Sequence, residues 1–244
     1  MPFSPTRRNE DPRLLRGLGS FVDDIDPPGV LHAAILRSPY GHAEIASIDT
    51  SAARAQVGVH AVYTASDLGE FDQPAPLVIP HPNLTHGHTQ KPLADGKVRF
   101  IGEAVAMVVA DDRYLAEDAA GLIEVDWRPL QAVVDFRLSA DPEQPRIHAD
   151  APNNVAARLV QTVGEPERAF ADAPHVFEEH LLVERSCGSP IEARGVAAVF
   201  EPREQTLTVW DNTQAPLTIK NGLANMLGLP EFNVHVIAPD VGGG

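Results

Sequence analysis

A mixed α/β fold is predicted by two stretches in which a strand, a helix and a second strand follow one another. The first stretch has an apolar strand at Ala104–Ala110, a helix at 114–122 and a strand at 124–127. The second has a strand at 206–210, a helix, and a strand at Val234–Ile237. Hydrophobic residues make up 43% of the 244 residues, which is enough to form the core of one large or two ordinary domains.

Shorter elements precede the first of these stretches. A mostly apolar strand is predicted at 31–37, and a short strand at 44–48 is positioned to pair with it. A short helix at 50–56 follows, with Asp49 as its expected N-cap, because a carboxylate accepts hydrogen bonds from the N–H groups of a first helical turn. Another strand is predicted at 59–63.

The chain is predicted to divide into two domains. Residues 139–154 contain three prolines, each after a different residue, and few apolar residues that could pack in a core, which is typical of a linker. The domains are therefore expected at 1–138 and 155–244. In the second domain, a short helix at 165–171 and a strand at 176–183 are predicted before the strand-helix-strand stretch.

Composition and charge exclude several classes of function. Acidic residues number 34 and Lys plus Arg 19, so the net charge of −15 disfavours nucleic acids and anionic membranes as partners. No run of eighteen apolar residues occurs, so no membrane span is predicted. Arg7 and Arg8 are followed by polar residues rather than an apolar segment, so the cytoplasm is the expected location.

Two groups of residues have side chains that could act as a nucleophile or as metal ligands, and neither is assigned such a role. Cys187, the single cysteine, has no His or Asp at a suggestive spacing, and it is interpreted as a small buried residue rather than a nucleophile. One cysteine also excludes an iron–sulfur cluster built from this chain alone. His81, His86 and His88 resemble a zinc or copper site, but they lack helical spacing and a neighbouring cysteine. No metal-ligating or catalytic residue is therefore assigned.

A ligand site is predicted where the last two strands end. Parallel strands of one strand-helix-strand unit run out on the same edge of a sheet, and ligands of such sheets bind there. The first strand ends in an amide-bearing loop at 211–214, and the second ends in a loop with Gly242, Gly243 and Gly244. Glycines let backbone N–H groups approach an anion closely. The alternative, a flexible glycine turn with a polar neighbour, stays open.

Several motifs resemble the large subunits of the molybdenum hydroxylases, the xanthine dehydrogenase, aldehyde oxidase and aerobic carbon monoxide dehydrogenase family. They include TQAP before the last helix, HVIAPDVGGG after it, and LHAAILRSPYGHAEI and VRFIGEAVAMVVADDRYLAEDAAGLIEVDWRPL upstream. The resemblance implies that 1–138 is an a/b hammerhead domain with an N-terminal arm. It implies that 155–244 begins a molybdopterin-binding domain, interrupted at its Gly-rich loop.

The resemblance also implies site residues and chemistry. In the family, the glutamine that matches Gln214 hydrogen-bonds an oxo ligand of molybdenum, and the glycines that match Gly242, Gly243 and Gly244 open a loop that cradles the metal centre. The metal is held by a molybdopterin dithiolene, expected here in its cytosine dinucleotide form, rather than by side chains. The implied reaction hydroxylates an aldehyde, an N-heterocycle or carbon monoxide with oxygen from water, and electrons pass to an iron–sulfur small subunit and an FAD-binding medium subunit.

The family's catalytic glutamate lies downstream of the matched region, so this chain alone is expected to be inactive without the remaining part of the cofactor-binding domain. A non-catalytic scaffold or interaction fragment is the alternative. A nicotinamide enzyme is disfavoured because no G-x-G-x-x-G follows a predicted strand. Glu192 and Arg194 match a family motif, and an ion pair or a turn support beneath the cofactor loop is favoured over catalysis for them.

Overall fold

The structure is a computed structural model that describes residues 8–77, 80–183 and 186–243. The strands are β1 (His32–Arg37), β2 (Ala43–Asp49), β3 (Val59–Thr64), β4 (Lys97–Val98), β5 (Ala104–Ala110), β6 (Glu124–Pro129), β7 (Val196–Glu201), β8 (Thr206–Asp211) and β9 (Val234–Ile237). The helices are α1 (Asp11–Leu14), α2 (Ser51–Arg54), α3 (Arg113–Ala120), α4 (Pro166–Asp172) and α5 (Pro216–Leu227). The strands form three sheets, ordered β1-β5-β3, β4-β2-β6 and β7-β8-β9.

Strand β5 is at the centre of the N-terminal region. It pairs antiparallel with both β1 and β3. Its side chains alternate between two cores: Ala106 and Val108 pack with Val62 and α3, and Val105 packs with Val98 in the second sheet. The nearly continuous apolar sequence of β5 is therefore explained, as predicted, by burial on both faces.

The predicted pairing of the first two strands is wrong. Strand β1 pairs with β5, and β2 pairs with β4 and β6 in another sheet. The connection between β1 and β2 carries the chain from one sheet to the other, and it buries Ser38 and His42. Two backbone hydrogen bonds tie Ser38 to the loop before β5, from Ser38 N to the carbonyl of Glu103 and from Gly102 N to the carbonyl of Ser38.

The N-termini of two helices have different caps, and one of them corrects a prediction. Asp112 caps α3, since its Oδ1 accepts a hydrogen bond from the backbone N of Leu115 at 2.9 Å. Helix α2 is shorter than predicted, and its N-cap is Thr50 rather than Asp49. Asp49 instead accepts a hydrogen bond from the backbone N of Ser51, and its contacts with Ser51 lower its pKa.

The C-terminal sheet has the predicted parallel unit plus one antiparallel strand. Strand β8 pairs parallel with β9, and β7 adds antiparallel to the other side of β8. Helix α5 packs on β9 and ends at Leu227, and its C-cap Gly228 adopts a left-handed conformation with φ 64°. Leu207, Val209, Ala224 and Val234 form the small core between helix and sheet.

The strand predicted at 176–183 is absent from the structure. Its apolar side chains, including Phe177 and Leu181, are 87% and 89% exposed. A β-branched and aromatic pattern indicates a strand only when a neighbouring strand supplies hydrogen bonds, and the described part of the chain places none beside this segment. The short helix predicted at 165–171 is confirmed as α4, shifted by one residue.

The predicted linker, 139–154, forms a chain of turns. The side chain of Asn154 accepts a hydrogen bond from the backbone N of Ile147 at 2.9 Å and donates one to the carbonyl of Pro145 at 3.0 Å. Ala151 is only 2% exposed. The division into domains at 1–138 and 155–244 stays a prediction. Among the described residues, no helix has the length and hydropathy needed to cross a membrane.

Candidate functional site

The candidate site lies where β8 and β9 end. Their parallel register pairs Trp210 with Ile237, so the loops that follow the two strands leave the same edge of the sheet, as predicted. Asn212, Thr213 and Gln214 follow β8, and the segment 239–243, which we call the glycine loop, follows β9. Gly244 lies outside the described residues.

Gln214 sits on the short connection between β8 and α5. The hydroxyl of Thr213 accepts a hydrogen bond from the backbone N of Ala215 at 3.0 Å, and α5 begins at Pro216. This turn holds Gln214 between two regular elements with its side chain exposed. Within the described residues its amide makes no hydrogen bond, so its donor N–H groups are available to a ligand.

Asn212 fastens another segment to the end of β8. Its Nδ2 donates a hydrogen bond to the carbonyl of Ala193 at 2.6 Å, and its Oδ1 accepts one from the backbone N of Gly195 at 3.2 Å. The sequence placed Asn212 in an amide-bearing loop, but it carried no signal for these partners. Asn212 therefore has a structural role, and it holds 193–195 beside the strand end.

The glycine loop packs against residues 190–192. The backbone N of Gly242 donates a hydrogen bond to Oε2 of Glu192 at 2.5 Å. A Cβ added at Gly242 would overlap the side chain of Glu192, and one added at Gly243, where φ is 140°, would overlap Pro190. Glycine is needed at both positions because the two backbones approach so closely.

Glu192 supports the turn and forms no ion pair with Arg194 in the part of the chain that the structure describes. Besides Gly242, its carboxylate accepts a hydrogen bond from the backbone N of Val22 at 3.4 Å. Arg194 is exposed. Of the two structural roles predicted for this motif, the ion pair is wrong and the support beneath the loop is confirmed by these contacts.

Asp240 is the charged group of the glycine loop. Its carboxylate forms a bidentate ion pair with Arg13 and accepts a hydrogen bond from the backbone N of Ser20 at 2.8 Å. The hydrogen bonds from Arg13, with that from Ser20, lower the pKa of Asp240 to about 2, so the carboxylate is ionised at neutral pH. Sequence reasoning missed this contact, because nothing in the pattern links residues 227 positions apart.

A groove of about 700 Å³ lies beside the end of β8. Its walls are mostly apolar side chains of β7, β8 and α5, with three charged residues among them, Arg37, Arg194 and Asp211. Burial raises the pKa of Asp211 above its ordinary value. The groove thus combines an apolar surface with a few charges next to the loop that carries Gln214.

The other candidate residues lie outside this site. Cys187 is exposed rather than buried as interpreted, and its thiol lies 3.6 Å from the Gly188 carbonyl. The rings of His88 and His148 are stacked with centroids 4.2 Å apart, and the ring of His86 lies tilted against both. Lone pairs of parallel rings do not converge on one point. In residues 8–77, 80–183 and 186–243 no group of three or more His, Cys, Asp or Glu side chains is arranged to hold a metal ion.

Comparison with protein families matches both parts of the chain. Residues 16–131 match the a/b hammerhead domain of aldehyde oxidase and xanthine dehydrogenase, and residues 147–244 match the molybdopterin cofactor-binding domain. These matches confirm the predicted order, a hammerhead domain followed by a cofactor-binding domain.

Similar proteins include two large subunits. The carbon monoxide dehydrogenase large chain of Afipia carboxidovorans is 39% identical over 98% of this chain and 30% of its own length. The nicotine 6-hydroxylase large subunit of Paenarthrobacter nicotinovorans is 38% identical over 97% of this chain and 29% of its own. The crystal structure of quinoline 2-oxidoreductase from Pseudomonas putida 86 superposes with a TM-score of 0.88, at 37% identity, over 98% of this chain and 30% of that one. The chain therefore spans about 30% of the length of these relatives.

Proposed function

The chain belongs to the aldehyde oxidase and xanthine dehydrogenase family of molybdopterin-dependent oxidoreductases, and we propose that it supplies one side of the molybdenum cofactor site of a hydroxylase. The proposed cofactor-binding residues are Gln214, Gly242, Gly243 and Gly244. The observation that carries the proposal is the shared edge of β8 and β9, where an exposed amide follows one strand and a glycine loop follows the other.

The residues present fit a molybdopterin cofactor. Gln214 offers uncommitted N–H donors from a position between a strand and a helix, where it is held with little freedom. Gly242 and Gly243 lie in the loop that leaves the same sheet edge, and their packing against Glu192 and Pro190 keeps the backbone of this loop in one place beside the cofactor. The cofactor brings its own metal ligands, which agrees with a site made of amide and glycine rather than of His, Cys or carboxylate clusters.

When bound, the cofactor supplies the redox chemistry that hydroxylates the substrate with oxygen from water. The role of this chain is binding and orientation. Gln214 donates a hydrogen bond to the cofactor, and the backbone of the glycine loop limits where the cofactor sits. A donor fixed before the reaction needs no reorganisation when charge develops, and removing one such donor typically costs a hundredfold or more in rate.

The remaining parts of the enzyme follow from the same proposal. Relatives are about three times as long as this chain, so we place the general base and most cofactor contacts on the rest of the cofactor-binding domain. The proposed cofactor is the cytosine dinucleotide form of molybdopterin. The proposed partners are an iron–sulfur small subunit and an FAD-binding medium subunit, and the substrate class is an aldehyde, an N-heterocycle or carbon monoxide.

A non-catalytic interaction fragment is the less favoured function. Two separate family models match the two parts of the chain in the order found in the enzymes. A module retained only for contact with another protein would have no need of an uncommitted amide at the strand ends.

The test is turnover by the assembled enzyme, meaning this chain with the rest of the cofactor-binding domain and its partner subunits. Aldehydes, N-heterocycles and carbon monoxide are offered with an artificial electron acceptor. The assembled enzyme is expected to turn over one of these substrates, and the 244-residue chain loaded with cofactor is expected to show none, because we place the general base on the rest of the cofactor-binding domain.

A substitution assigns the activity to the site. Gln214→Ala is expected to lower the turnover rate about a hundredfold at equal molybdenum content. Gln161→Ala, at an exposed loop glutamine away from the strand ends, is the matched control and should leave the rate unchanged. Equal rates for Gln214→Ala and wild type would show that Gln214 is only a polar loop residue and would contradict the proposed site.

A further inference from the structure

We propose that the N-terminal segment 13–22 clamps the glycine loop in place, and that Arg13, Glu192 and Asp240 are positioning residues of the cofactor site. The inference rests on the proposed function for the identity of the ligand. The clamp itself rests on contacts between segments that are far apart in the sequence.

The first half of the clamp is centred on Asp240. Both carboxylate oxygens pair with the guanidinium of Arg13, and Oδ2 also accepts the backbone N–H of Ser20 at 2.8 Å. The backbone N of Asp240 donates in return to the carbonyl of Ser20 at 2.9 Å. Side chain and main chain of Asp240 are therefore both held by the same N-terminal segment. A bidentate arginine–carboxylate pair fixes orientation as well as distance.

The second half of the clamp is formed by the carboxylate of Glu192. Its Oε1 accepts the backbone N–H of Val22 at 3.4 Å, and its Oε2 accepts the backbone N–H of Gly242 at 2.5 Å. One carboxylate thus joins the N-terminal segment to the glycine loop. Val22 is 7% exposed, and its side chain lies so close to Gly195 that a Cβ there would be 3.2 Å from Val22 Cγ1. The junction is tightly packed.

These contacts determine the conformation of the glycine loop. Residues 239–243 belong to no helix or strand, and Gly242 and Gly243 have no side chains to restrict their backbone. The orientation of the Gly242 N–H is set by Glu192, and the position of Asp240, two residues earlier, is set by Arg13 and Ser20. Without these partners the glycine backbone would sample many conformations, and a ligand that binds it would have to pay that entropy.

Amide hydrogen exchange in the full 244-residue chain tests the clamp without any cofactor. Glu192→Gln removes the charge and one acceptor oxygen. The amide of Gly242 should then exchange about tenfold faster, because the free energy of a hydrogen bond to a charged group corresponds to a factor of about ten or more in the opening equilibrium. In Asp240→Asn the amides of 239–243 should also exchange faster. The matched controls are Glu179→Gln and Asp118→Asn, at exposed positions with no contact to the loop. Unchanged exchange in Ala104–Ala110 and in Thr206–Asp211 shows that both sheet regions of each variant are folded.

The molybdenum content of the assembled enzyme tests the link to the cofactor. Asp240→Asn and Glu192→Gln should retain several-fold less molybdenum per chain than wild type, and the two controls should match wild type. A double-mutant cycle of Arg13→Ala and Asp240→Ala should be non-additive in the same measurement, because the two residues act as one contact.

Each contrary result has a definite meaning. Loop exchange that is unchanged in both variants overturns the clamp. Faster exchange with undiminished molybdenum shows that the contacts stabilise the fold without positioning the cofactor, which overturns the positioning role. A wild-type enzyme that holds no molybdenum at all refutes the proposed function, while the exchange data still decide whether the clamp exists.

Discussion

The N-terminal and C-terminal regions bury their apolar residues to different degrees. In the N-terminal region, β5 lies between two cores, and Val105 and Val108 are fully buried. In the C-terminal region one helix covers a three-stranded sheet, and Val196 and Phe200 of β7 are 67% and 45% exposed. The central strand of the N-terminal sheets is buried on both faces, whereas β7 of the C-terminal sheet leaves apolar side chains exposed in the region of the loops proposed to bind cofactor.

The proposed binding residues lie in the less completely packed region. Gln214 and the glycine loop follow the strands of the less covered sheet. The exposed apolar segment before that sheet includes Ile191, which is 104% exposed. Large exposed apolar surfaces typically mark contacts with other protein. The comparison therefore predicts that substitutions in the first region change stability and that substitutions in the second mainly change the site.

The largest stability difference is expected between two Val→Ala substitutions. Val108→Ala removes buried methyl groups from the centre of β5 and should lower the free energy of unfolding by about 2 kcal/mol. Val196→Ala, in the exposed strand β7, should lower it by less than about 0.5 kcal/mol. Urea denaturation followed by circular dichroism measures both. Equal losses would mean that the two regions do not differ in packing as described.

A smaller effect is expected for Asn212→Ala. The substitution removes two hydrogen bonds that hold 193–195 to β8, and it should lower the free energy of unfolding by about 1–2 kcal/mol. Asn221→Ala, at an exposed position of α5, is the control and should have almost no effect. Thermal unfolding of the two variants is the measurement. If Asn212→Ala is as stable as the control, the asparagine does not fasten this segment.

The smallest effects concern pH and have opposite signs in the two regions. Hydrogen bonds from Thr64 lower the pKa of Asp67, so its stabilisation is present above the ordinary value, 3.8, and is lost as pH falls through the lowered pKa. Asp67→Asn should therefore cost about 0.5 kcal/mol at pH 7 and nothing in strong acid. Burial raises the pKa of Asp211, so the fold loses stability as pH rises through that raised pKa.

Asp211→Asn should accordingly stabilise the protein by about 0.3 kcal/mol at pH 7, since the side chain is partly exposed, and have no effect below the ordinary pKa. Denaturation of both variants across pH 2–7 compares them. Shifts of the same sign for Asp67→Asn and Asp211→Asn would show that the two carboxylates are not in contrasting environments.

Much of the secondary structure was predictable because it follows from local sequence patterns. The apolar run of β5, the Asp112 cap and the Gly228 terminus each have a local physical cause that the sequence displays. Strand pairing was less predictable. The 44–48 strand was paired with the wrong neighbour because proximity in sequence does not decide which partner buries more surface. The predicted strand at 176–183 failed because a strand pattern does not provide a partner strand.

The candidate site was predictable only in part, for a similar reason. The order of a parallel unit places Gln214 and the glycine loop at one sheet edge, and this could be derived from the strand-helix-strand pattern. The contacts that shape the loop join Asp240 to Arg13 and Glu192 to Val22. Such long-range pairs leave no periodic or spacing signal in a single sequence.

The molybdenum content of two glycine variants tests the central claim most directly. Gly242→Ala places a Cβ onto Glu192 at a position where the backbone conformation itself tolerates alanine, and Gly188→Ala places one in open space. In the assembled enzyme, Gly242→Ala should lose most of its molybdenum, and Gly188→Ala should match wild type. Full molybdenum retention in Gly242→Ala would contradict the claim that the glycine loop binds the cofactor.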